Sequence, residues 1–225
     1  MDNTYEEAKQ LFANGTLTYN SMTEQNLFSH ARFKIKVNGR VDHFTQSTLF
    51  ENYNRIAENL KVYPTVSIYP RSYELPGGMG GFYHPDRNHI ELLDHYYLIS
   101  ILSHEMRHAH QYFYYPDLYY ATSYTSASEY INCFVERDAR AYSMDYCKAL
   151  KYWEEIDSLN EEEDRYERIL MNTLSPSEVG MNEAYFKENP RVGESVPRNY
   201  HTMEQQPKDN VVEFKRKRRR RFWRR

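Results

Sequence analysis

Two imidazoles and a carboxylate stand together in the string His104-Glu105-Met106-Arg107-His108. On an α-helix, at 100° per residue, the two histidines lie about 40° apart and one turn along, so both can reach a single ion. Glu105 falls about 60° beyond His108. From there it is a poor ligand, but it can act as general base on a metal-activated water and then return the proton to the leaving group. The chemistry this spacing supports is zinc-dependent hydrolysis, with one zinc per chain held by His104 and His108 and with Glu105 as the catalytic carboxylate.

A helix must present these side chains. Residues 97–113 carry the required pattern, with Leu98, Leu102, Met106, Ala109 and Phe113 forming an apolar stripe opposite His104, and Pro116 stopping the run. His110 points about 200° away from His108 and is excluded as a ligand in spite of its proximity. Before the helix, residues 82–84 and 89–92 flank the turn Pro85-Asp86-Arg87-Asn88 and predict a hairpin. The glycine-rich stretch 76–81 reads as a flexible loop and residues 65–69 as a short strand. Further upstream, residues 33–37 alternate as a strand, Asn38-Gly39 is a two-residue hairpin turn with a return strand over 41–45, and a helix begins at Ser47 with Leu49, Tyr53, Ile56, Ala57 and Leu60 on one face. Residues 4–12 predict a short helix. Downstream, Ser126-Ala-Ser-Glu129 reads as a capping box opening a second long helix to about residue 159.

A catalytic zinc needs a third protein ligand and one open position. The downstream acids are Asp117, Glu129, Glu136, Asp138 and Asp145, since the later histidine, His201, lies in a polar stretch. On the second helix, Ile131, Val135, Ala139, Tyr142, Tyr146 and Leu150 make the apolar stripe, and Glu136 and Asp138 flank it on opposite edges. Helical angle does not choose between these two. Glu129 already has a role in the capping box.

The string His104-Glu-Met-Arg-His-Ala-His-Gln111, with a Gly-Phe-Tyr-His-Pro hairpin before it and Glu136-Arg-Asp-Ala-Arg-Ala-Tyr142 after it, resembles the minimal gluzincin-type metallopeptidases, and among them the ImmA/IrrE-type proteins of phages and mobile elements. The resemblance covers roughly residues 65–150. It implies that the third ligand is the Glu of a helical Glu-x-x-Ala, which falls on Glu136, and that the reaction is peptide hydrolysis in a host cytoplasm. It also implies that the hairpin offers an edge along which an extended peptide substrate lies. His84, Asn88 and His89 are then candidates for substrate contact, and Tyr142, or a linker tyrosine among Tyr119, Tyr120 and Tyr124, for an oxyanion donor. The chain departs from the pattern in its long Tyr-rich linker between the helices and in lacking an obvious amino-terminal DNA-binding module.

Together the elements predict an α+β fold: a small mixed or antiparallel sheet with an edge hairpin, packed on the motif helix and on a second long ligand-bearing helix. A metallopeptidase-like domain is expected over residues 1–160, a polar, partly disordered connector over 161–210, and a basic tail over 211–225. Twenty-two Tyr and 11 Phe predict a core rich in rings that still hydrogen-bond. Two cysteines make no disulfide framework, and the chain shows neither an apolar run of spanning length nor a basic, apolar leader, so a cytoplasmic protein is expected. The net charge of −3 hides an asymmetry: residues 215–225 carry nine Lys or Arg, leaving −12 for residues 1–214. The tail, with Arg218, Arg219, Arg220, Arg221 and Trp223, predicts a polyanionic partner: nucleic acid first, through phosphate neutralisation and stacking, and an anionic membrane surface second. Folding back on the acidic body is the simpler use of the same charge. The competing function is that of a non-catalytic nucleic-acid-binding or regulatory protein of phage type, with the zinc-helix fold as scaffold.

Overall fold

The computed structural model describes residues 34–39 and 46–188. A four-stranded sheet, in the order β1-β2-β4-β3, is built from β1 (Ile35–Val37), β2 (Thr65–Tyr69), β3 (Gly81–His84) and β4 (His89–Leu93). The first three in that order run parallel, and β3 is antiparallel to β4, so the sheet is mixed. The expected hairpin at Pro85-Asp86-Arg87-Asn88 is present, closed by a 3-10 turn over Pro85–Arg87 with Asn88 in the left-handed region at φ 45°. Strand pleating puts Ile35, Val66, Ile90 and Tyr83 on the core face, together with Val37, Ile68 and Leu92. The opposite face carries Thr65, Ser67, Phe82, His84, His89 and Glu91.

Among the described residues β1 pairs with β2. Asn38 N–H donates to the Ile68 carbonyl at 2.8 Å, and β1 lies parallel to β2, joined to it across helix α1 (Gln46–Leu60). The parallel register lets Ile35 and Val37 continue the apolar row of Val66 and Ile68. The strand expected over 41–45 and the helix expected over 4–12 lie outside the described residues.

Helix α1 buries Leu49, Tyr53, Ile56, Ala57 and Leu60 as its spacing predicts. The motif helix is α2 (Leu98–Tyr114), whose Leu98, Leu102, Met106 and Ala109 join the same core. Phe113, read as the end of that stripe, is instead 43 % exposed, because the last turn of α2 runs past the core. Core tyrosines keep hydrogen-bond partners: Tyr53 donates to the Pro64 carbonyl at 2.7 Å and Tyr146 to Asn52 Oδ1 at 2.6 Å.

The helix expected from Ser126 to about residue 159 is three helices. After α3 (Pro116–Ala121) come α4 (Ala127–Asn132), α5 (Phe134–Leu150) and α6 (Trp153–Leu170). Extended backbone at Cys133 (φ −68°, ψ 147°) separates α4 from α5, and Lys151 at φ 61° ends α5. At the cap the Ser126 side chain accepts from Glu129 N–H, and the Glu129 carboxylate reaches back to the backbone of Ser126 and to Thr125. Order also persists beyond the expected start of the polar connector. Helix α6 buries Ile156, Leu159 and Ile169, and a last short helix, α7 (Glu183–Glu188), inserts Phe186 between Tyr124 and Tyr130. The acidic run Glu161-Glu-Glu-Asp164 masks this stripe by composition, although Glu163 is bound to Arg140 at 2.6 Å.

Helix α2 receives its N-terminal cap from a residue far away in sequence. The Glu155 carboxylate on α6 accepts the first-turn amides of Ile99 at 3.2 Å and Ser100 at 3.0 Å. These are orphan donors of a helix start, and a carboxylate there also answers the positive end of the dipole. Glu155→Ala is expected to cost roughly 1–3 kcal/mol in urea denaturation by leaving both amides buried and unpaired, while Glu155→Gln retains an acceptor. Burial raises the Glu155 pKa, and the bonds to Ser100 and Ile99 offset this only in part. The folded state therefore binds the proton more tightly than the unfolded one. The contribution is full below the ordinary carboxyl pKa and is lost as pH rises through the raised folded value. Glu155→Gln should remove that slope.

Candidate metal centre

Helices α2 and α5 pack along each other through small buried residues. Ser103 and Ser143 are fully buried, their hydroxyls 3.0 Å apart, and Ser143 donates to the Ser100 carbonyl at 2.7 Å. Close approach at this seam is what lets a side chain of α5 meet two of α2. The break at Cys133 places Glu136 in the first turn of α5, near the positive end of the helix dipole.

There the structure brings His104, His108 and Glu136 together, and this is the one group able to hold a metal ion among the described residues. His104 Nε2 and His108 Nε2 are 3.0 Å apart, and Glu136 Oε2 lies 3.2 Å from the first and 3.4 Å from the second. The two rings are nearly perpendicular, at 84°. Burial alone would raise the Glu136 pKa, but the two imidazoles hold its carboxyl well below the ordinary range. Glu136 in turn raises His108 against the lowering effect of burial. Of the two acids that helical angle left open, Glu136 joins the histidines, and Asp138 turns away from them. It is paired with Arg107, through Nε at 2.8 Å and Nη2 at 3.1 Å. Asp117 and Asp145 are exposed, and Glu129 is engaged at Thr125.

Glu105 stands next to this group without belonging to it. It is buried, interacts electrostatically with His104, His108 and Glu136, and accepts a hydrogen bond from the Tyr83 backbone N–H on β3. Burial pushes its carboxyl pKa up in spite of both histidines and that bond. The edge strand reaches the helix because residue 81 is Gly: a Cβ there would lie 2.6 Å from Ile101 Cγ2 and 2.9 Å from Glu105 Cγ. Within the glycine-rich stretch read as a flexible loop, Pro76–Gly78 forms a short turn with Gly77 at φ 70°, and β3 begins at Gly81.

Several expected site residues are not brought to the centre. Tyr142 is buried in the core, where its hydroxyl accepts from Asn59 at 3.0 Å and its ring lies 5.4 Å from the Arg107 guanidinium carbon. His84 and His89 are on the sheet face opposite α2, where His84 Nε2 is 3.2 Å from Glu91 Oε2 and His89 Nδ1 is 2.7 Å from Thr65 Oγ1. Asn88 ends the hairpin turn and accepts from the Tyr83 hydroxyl at 3.2 Å. Of the linker tyrosines, Tyr119 reaches the centre, edge-on to His108 with ring centroids 6.3 Å apart. His110 stands outside the group: its Nδ1 donates to the Leu60 carbonyl at 2.8 Å, and burial pushes its pKa down to about 4.

Two groups near the centre escape the sequence reading. Gln111 sits one turn beyond His108, with Oε1 2.8 Å from His108 Nδ1. Its place within the quoted motif is the available signal. Tyr130, on α4, interacts electrostatically with both Glu136 and Glu105, which brings its ring to the border of the site. No pattern marks it among 22 tyrosines. The tail residues Arg218, Arg219, Arg220, Arg221 and Trp223 lie outside the described residues, and no described helix is long and apolar enough to cross a membrane. Compared with protein-family models, with curated proteins and with solved structures, the chain finds no match in any of the three.

Proposed function

We propose that this chain is a zinc-dependent peptidase, with zinc held by His104, His108 and Glu136 and with Glu105 as general base. One observation carries the reading: the three donor atoms form a triangle with sides of 3.0, 3.2 and 3.4 Å. Ligands at zinc bond lengths of ~2.0–2.2 Å in a tetrahedron are about 3.3 Å apart. Two imidazole nitrogens and one carboxylate oxygen also form a donor set suited to zinc, and one tetrahedral position is left over.

Bound zinc would supply an acidified water and a polarised carbonyl. The chain itself does the rest. Glu105 is beside the donor triangle and not in it, so its carboxylate is free to take a proton from the attacking water and deliver it to the departing amine. β3 is the edge of the described sheet. The bond from Leu93 N–H to the Gly80 carbonyl sets the pairing register, so the peptide groups of Gly81 and Tyr83 face away from β4. An extended peptide laid along that edge would run past Glu105. The reading agrees with the gluzincin and ImmA/IrrE-type resemblance of the motifs.

Metal analysis tests it. Purified protein is expected to carry about one zinc per chain, to lose peptide cleavage on chelation and to regain it with added zinc. His108→Ala should weaken zinc binding by well over about 100-fold, since a three-ligand site loses a ligand. A wild-type protein that takes up no zinc sinks the proposal.

The tail supports a second reading, because nine cations within residues 215–225 have few acids to pair with locally. Nucleic-acid binding is expected to fall steeply with salt and to vanish on deletion of residues 211–225, while Glu105→Gln leaves it unchanged. Binding that survives the deletion assigns it to the body and not to the tail.

A further inference from the structure

The hydrogen bonds behind His108 have one consistent assignment of protons. Arg107 can only donate, and its Nε and Nη2 do so to the two oxygens of Asp138, with both side chains essentially inaccessible to solvent. Paired in this way, Asp138 is an acceptor. Its Oδ2 lies 2.6 Å from Gln111 Nε2, which also donates to the Val135 carbonyl at 2.9 Å. With two acceptors on one side, the Gln111 amide nitrogen must face them, and Oε1 must face His108. The opposite amide orientation sets three acceptor oxygens against one another in a buried site. Oε1 carries no hydrogen, so His108 Nδ1 must carry it, 2.8 Å away. A neutral His108 then has its lone pair on Nε2, the atom 3.0 Å from His104 Nε2 and 3.4 Å from Glu136.

We propose that Arg107, Asp138 and Gln111 form a relay of positioning residues that fixes His108 in its Nδ1–H tautomer and so presets Nε2 for metal binding. The proposal rests on the zinc reading for its purpose, but not for its geometry. Arg107 and Gln111 are on α2 and Asp138 is on α5, the same two helices that carry the metal donors. The relay thus joins on one side of the seam what the metal would join on the other. It also separates the two histidines: His104 is the more exposed and has no such partner at Nδ1 among the described residues, so it adapts while His108 is preset.

The test uses full-length protein labelled with ¹⁵N-histidine. In zinc-free wild type at mildly alkaline pH, long-range proton–nitrogen spectra should show His108 protonated at Nδ1 alone. Gln111→Leu keeps the approximate bulk of the side chain without its acceptor. It is expected to give a mixed or reversed tautomer and about 10- to 100-fold weaker zinc binding in competition with a chelator. The tautomer is the spectroscopic readout that a merely structural role of Gln111 would leave unmoved. A wild-type His108 protonated at Nε2 and bare at Nδ1 overturns the relay whether or not any variant folds, as does Gln111→Leu with an unchanged tautomer and zinc affinity. If zinc binding is absent altogether while the tautomer is as stated, the metal reading fails and the relay stands.

Discussion

Glu105→Gln is expected to retain one zinc per chain while losing peptide hydrolysis by about 10²- to 10⁴-fold. The substitution conserves shape and keeps an acceptor for the Tyr83 N–H that holds Glu105 in place. What it removes is the capacity to take a proton. Metal content should be unaffected, because the group able to hold a metal is His104, His108 and Glu136 and does not include Glu105. Cleavage of a peptide library, followed by mass spectrometry alongside zinc analysis of the same sample, separates the two properties. Undiminished hydrolysis in a zinc-loaded Glu105→Gln protein would falsify the general-base role.

Arg107→Met should lower the unfolding free energy by about 3–5 kcal/mol, the largest stability effect expected in the described residues. The pair it breaks has side-chain exposures of 0 % and 1 %, so solvent screening does not reduce the figure. The cost lies less in the lost attraction than in what is left: an Asp138 carboxylate buried with Gln111 as its remaining polar partner. Urea denaturation of wild type and variant at equal pH measures the difference. A loss under about 1 kcal/mol places the pair among ordinary surface bridges and removes its claim to hold α2 against α5.

These two results bear on residues of different legibility. Glu105 is assigned from spacing alone, since its angle to His104 and His108 is a property of one helix. Nothing in the sequence singles out Arg107: an arginine inside a helical motif is ordinarily solvated, and no local signal announces that it is fully buried against Asp138. Glu155 is invisible for the same reason. Its partners, Ile99 and Ser100, are more than fifty residues away, and nothing within the helix read over 126–159 points to them. The aromatic wealth of the chain misleads in the other direction. Tyr142 reads as a donor near the site, but it faces Asn59 on α1.

Relations within each element are legible in the residues alone. His104 and His108 share a helical face, His110 is turned away from it, and residues 82–92 fold into a hairpin, because one or two turns of regular backbone set these directions. Which of Glu136 and Asp138 stands beside the histidines is set by packing between helices. Both border the apolar stripe of α5, and only the packing of that helix on α2, through Ser103 and Ser143, shows which border meets the histidines. The same packing turned Asp138 to Arg107 and Gln111, and the break at Cys133 put Glu136 at a helix start. Periodicity records which side of a helix is buried, but the partner it is buried against is a property of the whole chain.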